Sequence, residues 1–125
     1  MNSRERIIRN YLDAYNTFDI EKMLIDLDER VKFVNISDGA INMTLIGLAS
    51  FKEQAEQSKD LFSRRTQTIK SFIHKDEETE IEIDYNGILA VDLPNGLKKG
   101  DELNLKGKSI FEFSGHKIIG LTDIS

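Results

Sequence analysis

The chain has 125 residues, a net charge of −5 and 39% hydrophobic residues, which fits a single domain over residues 1–125 with one core. It contains no cysteine, so disulfides, thiolate catalysis and thiolate zinc sites are excluded. The acidic balance argues against a nucleic-acid partner, because a phosphate backbone is repelled at long range. No apolar run reaches the roughly 18 residues of a membrane span, and the N-terminus lacks a signal-peptide pattern. We therefore expect a cytoplasmic protein without a membrane partner.

The first quarter of the chain has the apolar spacing of amphipathic helices. One stripe recurs every three or four residues and predicts a first helix, which Asn2 or Ser3 can cap. Its members are Ile7, Ile8, Tyr11, Leu12, Tyr15 and Phe18. Asp19 can cap a second, shorter helix. The apolar residues of that helix are Ile20, Met23, Leu24 and Leu27. An exit loop over 26–29 and a strand over 30–37 are expected to follow.

A third helix is predicted to begin at Ser50. The hydroxyl of Ser50 can cap the first turn, and Glu53 three residues on completes a capping box. The apolar stripe of this helix would end at Phe62. Arg64 and Arg65 would then lie at its C-terminal end, where cations suit the helix dipole.

The rest of the chain shows no helical period and is predicted to form strands. These cover 66–75, 79–92, 102–113 and 117–123, and short turns join them into an antiparallel meander. A hairpin turning around Asn95-Gly96 pairs odd residues with odd ones. The odd face is apolar and is expected to pack under the helices, whereas acidic and lysine residues of even number would form ion pairs on the other face. Gly87 and Gly107 are expected to lie nearly opposite each other.

This order of elements resembles the nuclear transport factor 2-like superfamily, which includes ketosteroid isomerases and SnoaL-like polyketide cyclases. Local sequence agrees with the resemblance at 11–19, 27–33 and 47–51, and the stretch 85–113 looks closest to the SnoaL-like branch. The resemblance implies an α+β fold with cystatin-like topology. In that fold, N-terminal helices pack on a strongly bent antiparallel sheet and form a cone with a cavity. It also implies a homodimer.

The resemblance carries expectations for individual residues. Tyr11 takes the position of the isomerases' oxyanion-stabilising tyrosine, Asn35 that of their catalytic carboxylate, and Ser109 that of the second acid of their oxyanion hole. In the cyclases, the expected histidine corresponds to Leu89, and their aspartate again falls near Ser109. An amide has no usable basicity near neutral pH. Both known reactions therefore lack key groups, and no catalytic residue is assigned.

Three functions remain open, and the favoured one is the binding of a small hydrophobic molecule in an apolar cavity with a few polar anchors. The candidate ligand-binding residues are Tyr11, Tyr15, Phe33, Asn35, Phe62, Tyr85, Ser109 and Phe111. The first alternative is an isomerase, cyclase or dehydratase acting on a polyketide- or steroid-like substrate. Its base would be Glu112 or Asp123, if a register shift turned either one inward. The second alternative is a homodimeric interaction module, with Ile88, Ala90 and Ile110 as an apolar patch.

No metal or cofactor is expected. His74 and His116 are not predicted to have a carboxylate or a second histidine at ligand spacing, so both are expected to be exposed or structural. The motifs of phosphate-binding loops, zinc hydrolases and serine hydrolases are absent from the sequence.

Overall fold

The computed structural model describes residues 3–125 of the chain. Its elements are α1 Ser3–Asn16, α2 Ile20–Leu24, β1 Leu27–Ser37, β2 Ala40–Ile46, α3 Leu48–Lys59, β3 Phe62–His74, β4 Glu78–Leu89, β5 Glu102–Ser114 and β6 Lys117–Ile124. The strands form one curved, unclosed sheet in the order β2-β1-β6-β5-β4-β3. This arrangement confirms the predicted α+β cone fold. Within residues 3–125, no helix is long and apolar enough to cross a membrane.

The four C-terminal strands form the predicted meander, in which each neighbouring pair is antiparallel. The first strand departs from that pattern, because β1 lies parallel to β6. β2, which the sequence pattern does not predict, pairs with the outer edge of β1. Parallel neighbours need a long crossover connection. Here the crossover is most of the chain, so the last strand completes the sheet beside the first.

The predicted pairing of odd-numbered with odd-numbered residues in the central hairpin is confirmed. Ile81 lies opposite Ser109, and Asp84 opposite Lys106, so odd residues pair with odd ones throughout β4 and β5. On the even face, the Lys106 Nζ lies 3.2 Å from the Asp84 Oδ1, as the charge pattern predicts. The prediction of facing glycines is wrong, because Gly87 pairs with Leu103 and Gly107 with Ile83.

The start of α3 differs from the prediction. The helix begins at Leu48 after Gly47, which has a φ of 90° and provides no side-chain cap. The Gly47 N–H donates to the Val31 carbonyl over 2.8 Å, so a contact to β1 fixes the helix start. Ser50 therefore lies inside the first turn, and the predicted capping box is wrong. Phe62, Arg64 and Arg65 belong to β3 rather than to the helix.

The N-terminal helices follow the prediction more closely. α1 begins at Ser3, and Asn2, the other proposed cap, lies outside the described residues. The Asp19 cap of α2 is confirmed, since its Oδ1 accepts a hydrogen bond from the Lys22 N–H over 3.1 Å. The placement of Leu27 in this helix is wrong, because Leu27 opens β1. Residues 27–29, predicted as part of the exit loop, likewise belong to that strand.

The helices cover only one end of the odd face. Ile81 and Phe111 are fully buried there against α1 and α3. Toward the other end of β5, Leu105 points to the same face but is 50% exposed. The sheet therefore extends beyond its helical cover, and the uncovered part forms an open recess.

This difference in cover predicts different costs for two truncations on the same strand and face. We expect Phe111→Ala to lower the free energy of unfolding by about 3–5 kcal/mol, because it leaves a cavity in the core. Leu105→Ala should cost less than about 1 kcal/mol, since half of that side chain is already in water. Urea denaturation of both variants measures the two costs. Equal losses would contradict the described cover.

Candidate functional site

A pocket of about 210 Å³ lies between the helices and the inner face of β1, β2 and β6. We call it the inner pocket. Its lining residues are Tyr11, Tyr15, Met23, Phe33, Asn35, Met43, Leu45, Phe51, Gln54, Ala55, Ser58, Arg65 and Asp123. A second space of about 390 Å³, the outer recess, opens over the uncovered end of the sheet. Tyr15, Asn35 and Asp123 line both, so the two spaces adjoin at these side chains.

Asp123 reaches this junction because of a bulge in β6. Ser114 pairs with Lys117, but Glu112 pairs with Gly120, which leaves Ile119 as an extra residue. Beyond the bulge, Ser109 lies opposite Asp123. Without the bulge, the pairing that starts at Ser114 and Lys117 would continue unchanged along β5 and β6. Residue 122 would then lie opposite Ser109, and Asp123 would point to the other face of the sheet.

The Asp123 carboxyl group is held in a largely apolar setting. The buried Ser109 hydroxyl donates to its Oδ1 over 2.7 Å. Burial raises the pKa of Asp123 to about 6, although the Ser109 hydrogen bond acts in the opposite direction. At neutral pH, this carboxyl group is therefore ionised but remains a better proton acceptor than an ordinary aspartate.

Tyr11 places a hydroxyl group near Asp123. Its ring packs edge-on against Phe111 at 5.8 Å and lies 6.4 Å from Phe51. Its hydroxyl makes no hydrogen bond to residues 3–125. Burial raises its pKa, the Asp123 charge raises it further, and the Arg65 charge lowers it. The hydroxyl therefore stays protonated at neutral pH and is free to donate to a bound molecule.

Tyr15 lines both spaces, and Tyr85 and Phe62 line the outer recess. The Tyr15 and Tyr85 hydroxyls are 2.9 Å apart and share a hydrogen bond. Phe62 packs edge-on against Tyr85 at 6.0 Å between ring centroids. Gly87 makes this packing possible, because a Cβ there would lie 2.9 Å from the Phe62 ring.

The other candidate residues occupy different surroundings. Phe33 lines the inner pocket and packs edge-on against Phe51 at 5.7 Å. Asn35 lies beside Asp123 across the β1–β6 pair, and its Nδ2 donates to the Asn42 Oδ1 over 2.8 Å. Phe111 is fully buried and lines neither space. It packs against the Tyr11 ring from the core.

Arg65 is a lining residue that the sequence pattern does not indicate. The pattern predicts it at a helix end, but β3 carries it inward, where only 2% of it is exposed. Its Nε donates to the Tyr15 carbonyl over 2.8 Å. The irregular start of β3 hides its direction, because the β3–β4 register shifts between Phe62 and Arg64.

The described residues bring no group of three or more His, Cys, Asp or Glu side chains to metal-binding distance. One expectation for the histidines is wrong, because His74 does have a carboxylate partner. Its Nε2 lies 2.9 Å from the Glu5 Oε2, and its Nδ1 2.9 Å from the Thr79 Oγ1. Residue 5 is on α1, and the sequence pattern does not reveal that this helix crosses β3.

The fold is shared with several solved structures. A proposed polyketide cyclase from Xanthomonas campestris pv. campestris is 22% identical, with a TM-score of 0.80, and the match covers 99% of this chain and 93% of that one. A proposed SnoaL-like polyketide cyclase from Jannaschia sp. CCS1 is 8% identical, with a TM-score of 0.82 and coverage of 97% and 83%. A protein with a ketosteroid isomerase-like fold from Catenulispora acidiphila, solved with trimethylamine, is 14% identical, with a TM-score of 0.76 and coverage of 94% and 82%. No protein-family model and no curated protein matches the sequence.

These similarities confirm the expected resemblance at the level of the fold. The chain has the nuclear transport factor 2-like fold of the SnoaL-like and ketosteroid isomerase-like proteins. At these identities, the shared fold does not assign an activity.

The raised pKa of Asp123 predicts a pH-dependent stability. Because the fold favours the protonated form, ionisation of Asp123 destabilises the folded state. This cost is absent below about pH 4, grows as the pH rises from about 4 to about 6, and stays constant above that. We expect Asp123→Asn to raise the free energy of unfolding by about 2 kcal/mol at pH 8, and by less as the pH approaches 4. Urea denaturation across this pH range measures the difference.

The matched control is Asp84→Asn on the opposite face. Lys106 lowers the pKa of Asp84 by a hydrogen bond, so this variant should gain no stability at pH 8. Parallel stability profiles for the native protein and Asp123→Asn across the pH range would contradict a raised pKa.

Proposed function

We propose that this protein is an enzyme that moves a proton on a small, largely apolar carbonyl compound, as isomerases and cyclases do. The observation that carries the proposal is the position of Asp123, a carboxylate with a pKa of about 6 at the junction of the inner pocket and the outer recess. A general base works best when its pKa lies near the working pH. A perturbed carboxylate in an apolar pocket is a typical catalytic group.

In the proposed reaction, the Asp123 carboxylate removes a proton from the carbon next to a carbonyl group. The electron pair of the C–H bond moves toward the carbonyl oxygen, and the Tyr11 hydroxyl donates a hydrogen bond to the resulting enolate oxygen. Return of the proton to another carbon gives an isomer. Attack of the enolate carbon on a second carbonyl group of the same molecule gives a ring, whose new alkoxide takes the proton back from Asp123.

The surrounding side chains suit this role. Ser109 holds one carboxyl oxygen of Asp123 and leaves the other available. Phe33 and Phe51 supply apolar walls to the inner pocket, on one side of the carboxylate. The inner pocket is smaller than the roughly 300–1,000 Å³ of drug-sized sites, so it suits a compact molecule or one end of a longer one. Two fold neighbours are proposed polyketide cyclases, which is consistent with this class of reaction.

Proton exchange in deuterated water tests the proposal. A panel of small cyclic ketones, enones and 1,3-diketones is incubated with the protein, and NMR follows deuterium uptake next to the carbonyl group. We expect at least one member to exchange at least about 100-fold faster than in buffer, since general-base catalysis contributes about 10²–10⁴-fold. The rate should rise with pH through about 6, as Asp123 loses its proton.

Three variants assign the effect to the pocket. Asp123→Asn should abolish the acceleration, whereas Asp84→Asn should retain it because Asp84 pairs with Lys106 on the opposite face. Tyr11→Phe should slow the exchange by about 10²-fold, through loss of the oxyanion donor. Catalysis would be rejected if panel members bound in the pocket without faster proton exchange. They would then perturb the Tyr11 and Tyr15 NMR signals, but exchange at the same rate with the native protein and with Asp123→Asn. That result would instead support the simple holding of a hydrophobic molecule.

A further inference from the structure

The guanidinium group of Arg65 is fixed in place at the wall of the inner pocket. It stacks on the Tyr15 ring, 3.7 Å from the ring centroid, and lies 4.5 Å from the centroid of Phe18. Its Nε is occupied by the Tyr15 carbonyl. Protein contacts therefore occupy the face of the guanidinium group and its Nε. The two terminal nitrogens form the edge that remains.

That remaining edge has no partner in the described part of the chain. Neither terminal nitrogen hydrogen-bonds within residues 3–125, and the Nη2 is buried and unsatisfied. No carboxylate of these residues forms an ion pair with Arg65. A buried cation without a counter-charge is strongly unfavourable. Stacking on aromatic rings offsets only part of that cost.

We propose that Arg65 binds a carboxylate group of the substrate, which makes that substrate a small apolar acid rather than a neutral molecule. This inference rests on the proposed function and names the substrate class of the same site. A guanidinium group presents paired N–H donors that match the two oxygens of a carboxylate. The contacts with Tyr15 hold the guanidinium plane, so little side-chain ordering is lost on binding. Because the Nη2 has almost no accessible surface, a carboxylate reaches both terminal nitrogens only after a small movement of the neighbouring side chains.

The charges of the pocket would also orient such a molecule. Asp123 is ionised at neutral pH and repels an anion, whereas Arg65 attracts it. Tyr11 lies within the field of both groups, because Asp123 raises its pKa and Arg65 lowers it. With its carboxylate on Arg65, the substrate would extend past the Tyr11 hydroxyl and present its far end to Asp123.

A pair of matched probes tests the inference by calorimetry at pH 8 in low salt. The probes are 2-naphthoate and 2-naphthamide, which have nearly the same shape and differ in charge. We expect the native protein to bind the carboxylate at least tenfold more tightly than the amide. Arg65→Met should bind both probes with similar affinity, while Arg64→Met should keep the preference, because Arg64 is exposed.

The native protein alone can overturn the inference, so a folding defect in a variant does not hide the answer. Equal binding of the two probes, or binding of neither, would overturn it, and so would a preference for the carboxylate that persists in Arg65→Met. Arg65→Lys keeps the positive charge and is expected to retain part of the preference.

Failure of this inference is distinct from failure of the proposed catalysis. A carboxylate preference without Asp123-dependent proton exchange would leave an anion-binding protein, and exchange without the preference would leave an enzyme for neutral substrates.

Discussion

The extra residue at Ile119 decides which side of β6 faces the helices, and the candidate site depends on it. One inserted residue reverses the direction of every side chain beyond it, so Asp123 points inward beside Ser109. Gly120 follows the bulge and is buried, and a Cβ there would lie 3.0 Å from the Glu112 carboxyl carbon. Bulges often re-aim a side chain next to a functional site. Here the bulge exchanges a hydroxyl for a carboxylate at the pocket wall.

The inner pocket also keeps two opposite charges apart. Asp123 and Arg65 both line it, and an ion pair between them would lower the pKa of the aspartate and satisfy the guanidinium group. Instead, burial leaves Asp123 with a raised pKa and Arg65 with an unsatisfied nitrogen. Each group therefore retains the capacity to interact with a bound molecule.

The sequence predicts the fold well and the site only in part. Periodicity places α1, the Asp19 cap and the parity of the central hairpin, because these features depend on local spacing. It misses β2 and the start of α3, since an edge strand has a weak pattern and the Gly47 contact to β1 is not local. The sequence offers Asp123 only as a base that a register shift would have to turn inward, and nothing in the local pattern of β6 places the extra residue at Ile119. Arg65 is missed because its strand begins where the pattern predicts the end of a helix.

The proposed site depends on Asp123, whose carboxyl group has a raised pKa and accepts a hydrogen bond from Ser109. Carbon-13 NMR titration of the aspartate carboxyl groups tests this raised pKa most directly. We expect one aspartate to titrate near pH 6 and to move to a higher pKa in Ser109→Ala, because the hydroxyl favours the ionised form. That signal should be missing from Asp123→Asn. If the Asp123 signal instead titrates near pH 4, as exposed aspartates do, the carboxylate faces water and the proposed site is wrong.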